Sequence, residues 1–352
     1  MTSKSPLVFD GHNDALLKLY RAGGVSAAAG FVQGCAGAID VPRAAAGGFG
    51  GGFFAVYVPS PIDLAHKFEE MTKASYDLPL PETIDCDDAM PVVMAQAAIL
   101  FDLERRGALK VCRNAADIRN AMADGIMAAI FHIEGAEAID ADLHSLDVLY
   151  QAGLRSIGPV WSRPTIFGHG VPFRFPASPD IGPGLSDHGL RLVKRCNALG
   201  IMLDLSHLNE AGFWDVARHS DKPLVATHSN AHAICRHSRN LTDDQLRAIA
   251  ESDGMVGLNF AVAFLREDGR MLDDVPLDQM LHHLDHLIGI LGEDRVGLGS
   301  DYDGAVVPQA LTEVSDLPKL RQAMTKHGYG EPLIRKLCHA NWLRVLEATW
   351  GS

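Results

Sequence analysis

A chain of 352 residues, 47% hydrophobic and 21% charged, has the composition of an ordinary folded protein with a large buried core, and single barrels reach this length. Its formal net charge of −13 excludes the clustered Lys and Arg that nucleic acid or an anionic membrane surface requires. No run approaches the roughly 18 apolar residues of a membrane span, and the opening MTSKSPLVFDGHND lacks the apolar centre of a secretion signal, so the expected location is the cytoplasm.

Short runs rich in Val, Ile, Leu and Phe recur along the chain, each followed by a polar or glycine-containing turn. They predict strands at residues 7–9, 53–58, 128–133, 155–160, 201–205, 224–227, 255–260 and 296–299. Helices are predicted at 117–123, 143–152, 186–199, 210–218, 243–252 and 277–291, where apolar residues return at three- and four-residue spacing. Asn209 and Thr242 stand where N-caps belong. Eight strand–helix units predict an α/β protein, a single (β/α)8 TIM barrel over residues 1–352, with additional helices after Asp303, of which 332–346 is the clearest. A doubly wound open sheet would want a GxGxxG fingerprint after its first strand, and none is there. The segment 161–184, WSRPTIFGHGVPFRFPASPDIGPG, is crowded with Pro and Gly and has no periodicity. It follows the fourth strand, so in a barrel it hangs over the catalytic face.

The ends of the strands carry the chemistry. The first strand runs into DGHND, with His12 and Asp14 two residues apart, and a period of two points both into the barrel mouth. The third ends FHIEG with Glu134, the fifth LDLSH with His207, the sixth ATHSN with His228 and the eighth GLGSDYDG with Asp301. Barrel closure makes these residues neighbours around one ring. Singly, each is a polar residue at a wet rim; together, three imidazoles and three carboxylates form a mixed nitrogen and oxygen donor set. Such a set suits zinc, and manganese or iron as well. It exceeds what one catalytic zinc takes from protein. Two ions about 3.5–4 Å apart, sharing a bridging carboxylate and a water held as hydroxide, use it naturally.

Other features have structural readings. LHHLDHL places His282 and His286 four apart but lacks the glutamate of HExxH, so it reads as a solvated or packing helix face. The glycine-rich run 47–52 lacks the GK[ST] ending of a phosphate loop and reads as close packing ahead of the second strand. Ser206, Ser229 and Ser300 have no GxSxG elbow around them and read as hydrogen-bond partners of neighbouring ligands. The six cysteines, Cys35, Cys86, Cys112, Cys196, Cys235 and Cys338, form no CxxC pair, and most read as small buried residues.

DGHND, the glutamate of FHIEG, LSH, THSN followed by SRN, and GSDYDG, in this order over about residues 8–346, resemble the membrane dipeptidase family, also called renal dipeptidase or dehydropeptidase I, and most of all its compact bacterial members. The resemblance implies a barrel of the metal-dependent hydrolase type and a zinc-dependent dipeptidase with two Zn2+ per chain, in which a metal-bridging hydroxide attacks the peptide bond. It implies that His12 and Asp14 bind the first zinc, that Glu134 bridges, that His207 and His228 bind the second, and that Asp301 handles protons. It further implies that Arg239, in CRHSRN, grips the substrate's terminal carboxylate, to which a guanidinium fork is matched. Family members tolerate a D-residue at the C-terminal position, which puts L,D-dipeptides beside L,L-dipeptides as candidates. A homodimer is implied too. One feature departs from the family: a Thr-His pair commonly ends the fourth strand, where the imidazole contacts substrate, and here GPVWS places Trp161 at that point. Either His169, in the long loop, takes over this contact, or the contact is missing.

Other two-metal barrel hydrolases, acting on N-acyl amino acids and related amides, lactones or phosphotriesters, usually bridge their metals with a carboxylated lysine on the fourth strand. No Lys occurs between Lys110 and Lys194, and Glu134 is available to bridge, which favours the dipeptidase. A barrel that had lost activity and become a scaffold would have lost ligands, and all are present here.

Overall fold

The apolar runs pair as parallel strands because the helices between them return the chain and cover the outer face. The computed structural model describes residues 5–34, 37–61 and 69–351. In chain order its strands are β1 (Val8–Asn13), β2 (Phe49–Tyr57), β3 (Tyr76–Leu78), β4 (Leu109–Val111), β5 (Met127–Glu134), β6 (Leu154–Gly158), β7 (Phe173–Phe175), β8 (Met202–Leu203), β9 (Val225–Ala226), β10 (Met255–Asn259) and β11 (Val296–Gly299). Eight of them make a nearly closed barrel in the order β1-β2-β5-β6-β8-β9-β10-β11, with β11 pairing back onto β1 through Leu298 and Asp10. These are the eight predicted runs. The seam between β8 and β9 is thin: Asp204 stands opposite Val225, and Leu205 N donates to Val225 O at 2.9 Å. Beside it, the Asp204 carboxylate accepts the Thr227 N–H at 2.9 Å, so a side chain replaces a ladder carbonyl.

β2 begins at Phe49, ahead of the predicted start, so the glycines of 47–52 fall largely inside the strand. A Cβ on Gly51, whose φ is +132°, would strike the Ala128 backbone, and one on Gly52 the Asp10 backbone. The six predicted helices are present, and four of them start on a side-chain cap. Ser186 accepts from Gly189 N at 3.2 Å, Asn209 from Gly212 N at 2.9 Å, and Thr242 forms a capping box with Gln245. The helices Ala15–Arg21 and Cys86–Arg105 escape the sequence pattern; Pro91, in the second turn of the latter, has no N–H to donate, yet the helix runs through it. Cys112, Cys196, Cys235 and Cys338 are buried and Cys86 is half-buried, while Cys35 lies outside the described residues. Among the described residues no helix is long and apolar enough to cross a membrane.

The floor of the barrel is apolar. Phe9, Phe53, Ile130, Met202, Val225, Met255 and Trp342 belong to one buried cluster. Trp342 comes from the last helix, Asn341–Trp350, and donates its indole N–H to Leu298 O at 3.0 Å. Gly11 and Gly257 make room for this ring, since a Cβ there would come within 2.5 and 2.9 Å of it. With the floor sealed, the polar residues gather at the carboxyl ends of the strands, as barrels arrange their sites. The segment 161–184 contributes β7, which pairs antiparallel with β3 and sends Phe173 into the wall of the mouth.

Candidate metal centre

A cavity of about 500 Å3 opens at this end, with Asp14, Glu134, His207, Arg239 and Asp301 in its wall. His12 and His228 lie beneath them, fully buried. The three histidines converge on a single atom: Glu134 Oε1 is 2.9 Å from His207 Nε2, 3.4 Å from His228 Nε2 and 3.6 Å from His12 Nε2. His12 Nε2 is also 3.4 Å from Asp14 Oδ2. Two triads result, Glu134 with His207 and His228, and His12 with Asp14 and Asp301, each with its ligand atoms within 4.8 Å of one another.

These residues fit a metal ion. The outer nitrogens of two rings are already engaged: Ser162 Oγ lies 2.9 Å from His207 Nδ1, and Thr227 Oγ1 lies 2.8 Å from His228 Nδ1. That leaves both Nε2 atoms facing Glu134, and burial holds both rings well below the usual histidine range, hence neutral. Both ring nitrogens of His12 are buried with no hydrogen-bond partner among the described residues. Burial opposes a charge on His12, yet Glu134, Asp14 and Asp301 together push it up to about 10. Burial likewise raises the carboxyls of Glu134 and Asp301. Three carboxyl groups thus surround an imidazole whose nitrogens have no hydrogen-bond partner among the described residues, a donor set that a cation would fit.

A family model, membrane dipeptidase (peptidase family M19), matches residues 1–350. The chain belongs to this family. The crystal structure of a metallo peptidase from Rhodobacter sphaeroides, liganded with a phosphinate mimic of the dipeptide L-Ala-D-Ala, matches with a TM-score of 0.97 and 58% identity, over 99% of this chain and 100% of that one. Dipeptidase AC, a metallo peptidase of family M19, matches with a TM-score of 0.96 at 58% identity over the same shares. An uncharacterized protein in the pqqA 5′ region of Klebsiella pneumoniae is 49% identical over 265 residues, 75% of this chain and 98% of its own length. This member of the family is a metallohydrolase, a dipeptidase.

In the dipeptidase's cavity Arg239 is only 2% exposed. Its guanidinium donates to Ser206 O and, at 3.3 Å, to His228 O, and lies 3.2 Å from His207 Nε2. Burial lowers it to about 10, with Asp301, Glu134 and Asp204 working against the shift. Trp161 lines the cavity and packs edge-on against Tyr57 and Phe173, at 5.1 and 5.7 Å between ring centres. His169 is half-buried and is not among the lining residues; its carbonyl accepts from Asn209 N at 3.3 Å. The long loop therefore presents Trp161 and Phe173 to the cavity and keeps His169 away from it. His286 is on an outer helix, paired with Asp243 at 2.8 Å.

A second layer of buried polar groups went unnoticed in the sequence. Asp10 accepts from Ser300 N and Ser300 Oγ at 2.6 and 2.7 Å, and burial raises its carboxyl to about 7. His132 sits against Ser156 Oγ at 2.9 Å, and burial pushes it down to about 3. Asp204 accepts from Ser206 Oγ at 2.6 Å; burial raises its carboxyl, but His132, Ser206 and Thr227 outweigh this and leave it low. Asn259 donates to Asp301 Oδ2 at 3.0 Å. Asp10 and His132 precede the candidate ligands His12 and Glu134 by two residues, so the alternation that places those inward places these inward too. Of the three serines, Ser206 and Ser300 bond to Asp204 and Asp10, and Ser229 lies 3.4 Å from the Arg239 guanidinium.

Proposed function

We propose that this dipeptidase holds two zinc ions and hydrolyses L,L- and L,D-dipeptides. One observation carries this: a single oxygen, Glu134 Oε1, lies within 3.6 Å of the Nε2 atoms of His12, His207 and His228. In this reading Glu134 is shared between a site made with His12 and Asp14 and a site made with His207 and His228. Imidazole with carboxylate is a donor set that suits zinc. When bound, such ions supply a Lewis acid and a water activated at neutral pH.

The chain's own residues account for the rest. Arg239 binds the C-terminal carboxylate of the substrate, which lies one residue beyond the scissile bond only in a dipeptide. Asp301 moves the proton from the attacking water to the leaving amine. Its Oδ2 is held by Asn259, its Oδ1 lies beside Gly304 at the cavity wall, and burial raises its carboxyl above the ordinary value. The Trp161, Tyr57 and Phe173 rings form an apolar wall for a substrate side chain. For the D-residue, support comes from the Rhodobacter sphaeroides relative, which holds a mimic of L-Ala-D-Ala at 58% identity to this chain.

The test is hydrolysis of L-Ala-L-Ala and L-Ala-D-Ala by protein stripped with a chelator and reloaded with zinc, with bound zinc counted per chain. Both dipeptides should be cleaved at a loading of two. Full activity at a loading of one would sink the shared-carboxylate reading.

A further inference from the structure

Beneath the metal centre, the Asp204 carboxylate meets more donors than any other buried group of the site. Its Oδ1 accepts from Ser206 N at 3.1 Å, Ser206 Oγ at 2.6 Å and Thr227 N at 2.9 Å. Its Oδ2 accepts from Thr227 Oγ1 at 2.5 Å. His132 Nε2 lies 3.6 Å and His228 Nδ1 3.9 Å from the same Oδ2. Asp204 is 4% exposed and Thr227 fully buried, so water does not compete for these bonds.

The direction of these bonds matters. A hydroxyl has one proton to give. Thr227 gives its proton to Asp204, because a carboxylate only accepts. Toward His228 Nδ1, 2.8 Å away, the same hydroxyl is therefore an acceptor. His228 must then carry its proton on Nδ1, and its bare Nε2 faces Glu134 Oε1 at 3.4 Å. The main chain is tied to the same anchor, since His228 N donates at 3.0 Å to Ser206 Oγ, which itself donates to Asp204.

We propose that Asp204 is a positioning residue for metal binding: through the Thr227 hydroxyl it sets the tautomer of His228 and turns Nε2 toward the metal. This rests on His228 being a metal ligand, as read above. Outer hydrogen-bond partners of this kind are worth roughly 10–100-fold in metal affinity.

The bond polarity supplies a sharp test. In Asp204→Asn the backbone N–H groups of Ser206 and Thr227 still need an acceptor, so the amide oxygen occupies the Oδ1 place and the NH2 faces Thr227. The NH2 donates to the hydroxyl, the hydroxyl donates to His228 Nδ1, and the proton moves to Nε2, where it blocks the ligand position. Thr227→Val removes the relay, and Thr227→Ser keeps it. Zinc affinity is measured by competition with a chromophoric chelator, and the visible spectrum of the cobalt-loaded protein is recorded alongside. Thr227→Val should bind zinc roughly 10–100-fold more weakly, Asp204→Asn at least as weakly, and Thr227→Ser like the parent protein. Adding Asp204→Asn to Thr227→Val should bring little further loss, because the relay is already cut. The cobalt spectrum should change in both weak variants and not in Thr227→Ser. Parent-like affinity in Thr227→Val, or a loss in Thr227→Ser equal to that in Thr227→Val, overturns the proposal even if Asp204→Asn fails to fold. His228→Ala is the control: if it keeps full zinc affinity, His228 is not a ligand, and the two-zinc reading falls together with this one.

Discussion

Replacing Arg239 with Met keeps the aliphatic stem and removes the guanidinium that we assign to the substrate's carboxylate. The structure divides the expected loss into two parts. One is common to every substrate: the guanidinium donates to Ser206 O and His228 O, and without it these buried carbonyls at His207 and His228 lose their partner. The other depends on the substrate's charge. A charge-assisted hydrogen bond contributes about 1.5–3 kcal/mol, which is roughly 10–150-fold in kcat/KM at about 1.4 kcal/mol per tenfold. Burial brings Arg239 down only to about 10, so the charge is present throughout the neutral range. The assay is kcat/KM of the parent and Arg239→Met on L-Ala-L-Ala and on its C-terminal amide. The acid should lose roughly 10–150-fold more than the amide, which has no carboxylate to lose. Equal losses on the two would show that Arg239 acts only by supporting Ser206 and His228, and the clamp would have to be abandoned.

Glu134→Gln should weaken both metal sites together, by more than the roughly 10–100-fold typical of an outer partner, because one oxygen faces all three histidines; a chelator titration in which a single site weakens would contradict this. Asp301→Asn should cut kcat by roughly 10²–10⁴, the scale of acid–base work, with bound zinc unchanged; parallel loss of zinc and rate would make Asp301 a ligand first. Near Trp161, Arg163 and Glu137 form a fully buried pair, with Arg163 Nε and Nη2 donating to Glu137 Oε1 at 2.9 and 2.7 Å, and Glu137 Oε2 has no hydrogen-bond partner among the described residues. Arg163→Met should therefore cost about 3–5 kcal/mol, the scale of a buried charge left unpaired, and denaturant melts should show Glu137→Leu in the same chain recovering much of it.

Much of this protein was legible in the sequence because the signals are local. A run of Val, Ile and Phe too short for a helix and closed by a polar turn is a buried strand wherever it lies, and all eight barrel strands were found this way. The candidate site residues stand out because His12, Asp14, Glu134, His207, His228 and Asp301 each fall at or just beyond a strand end, where a period of two decides inward or outward without knowledge of any neighbour. The helix Cys86–Arg105 was missed for an equally local reason, the proline in its second turn.

Tertiary structure alone decided what depends on distance across the ring. That one oxygen of Glu134 meets three imidazoles follows from barrel closure, which brings residues 12, 134, 207 and 228 to one point. The Asp204 layer became visible only when the weak seam between β8 and β9 placed its carboxylate under Thr227. Whether His169 takes the place left by the histidine missing at Trp161 is open in the sequence; in the fold Trp161 lines the cavity, while the His169 carbonyl is bonded by Asn209 N and its side chain is not among the lining residues. Trp342, far along the chain, plugs the floor because Gly11 and Gly257 leave it space. Strand periodicity is written into neighbouring residues, whereas the direction of a loop side chain is set by what it packs against, and that partner is chosen only when the barrel closes.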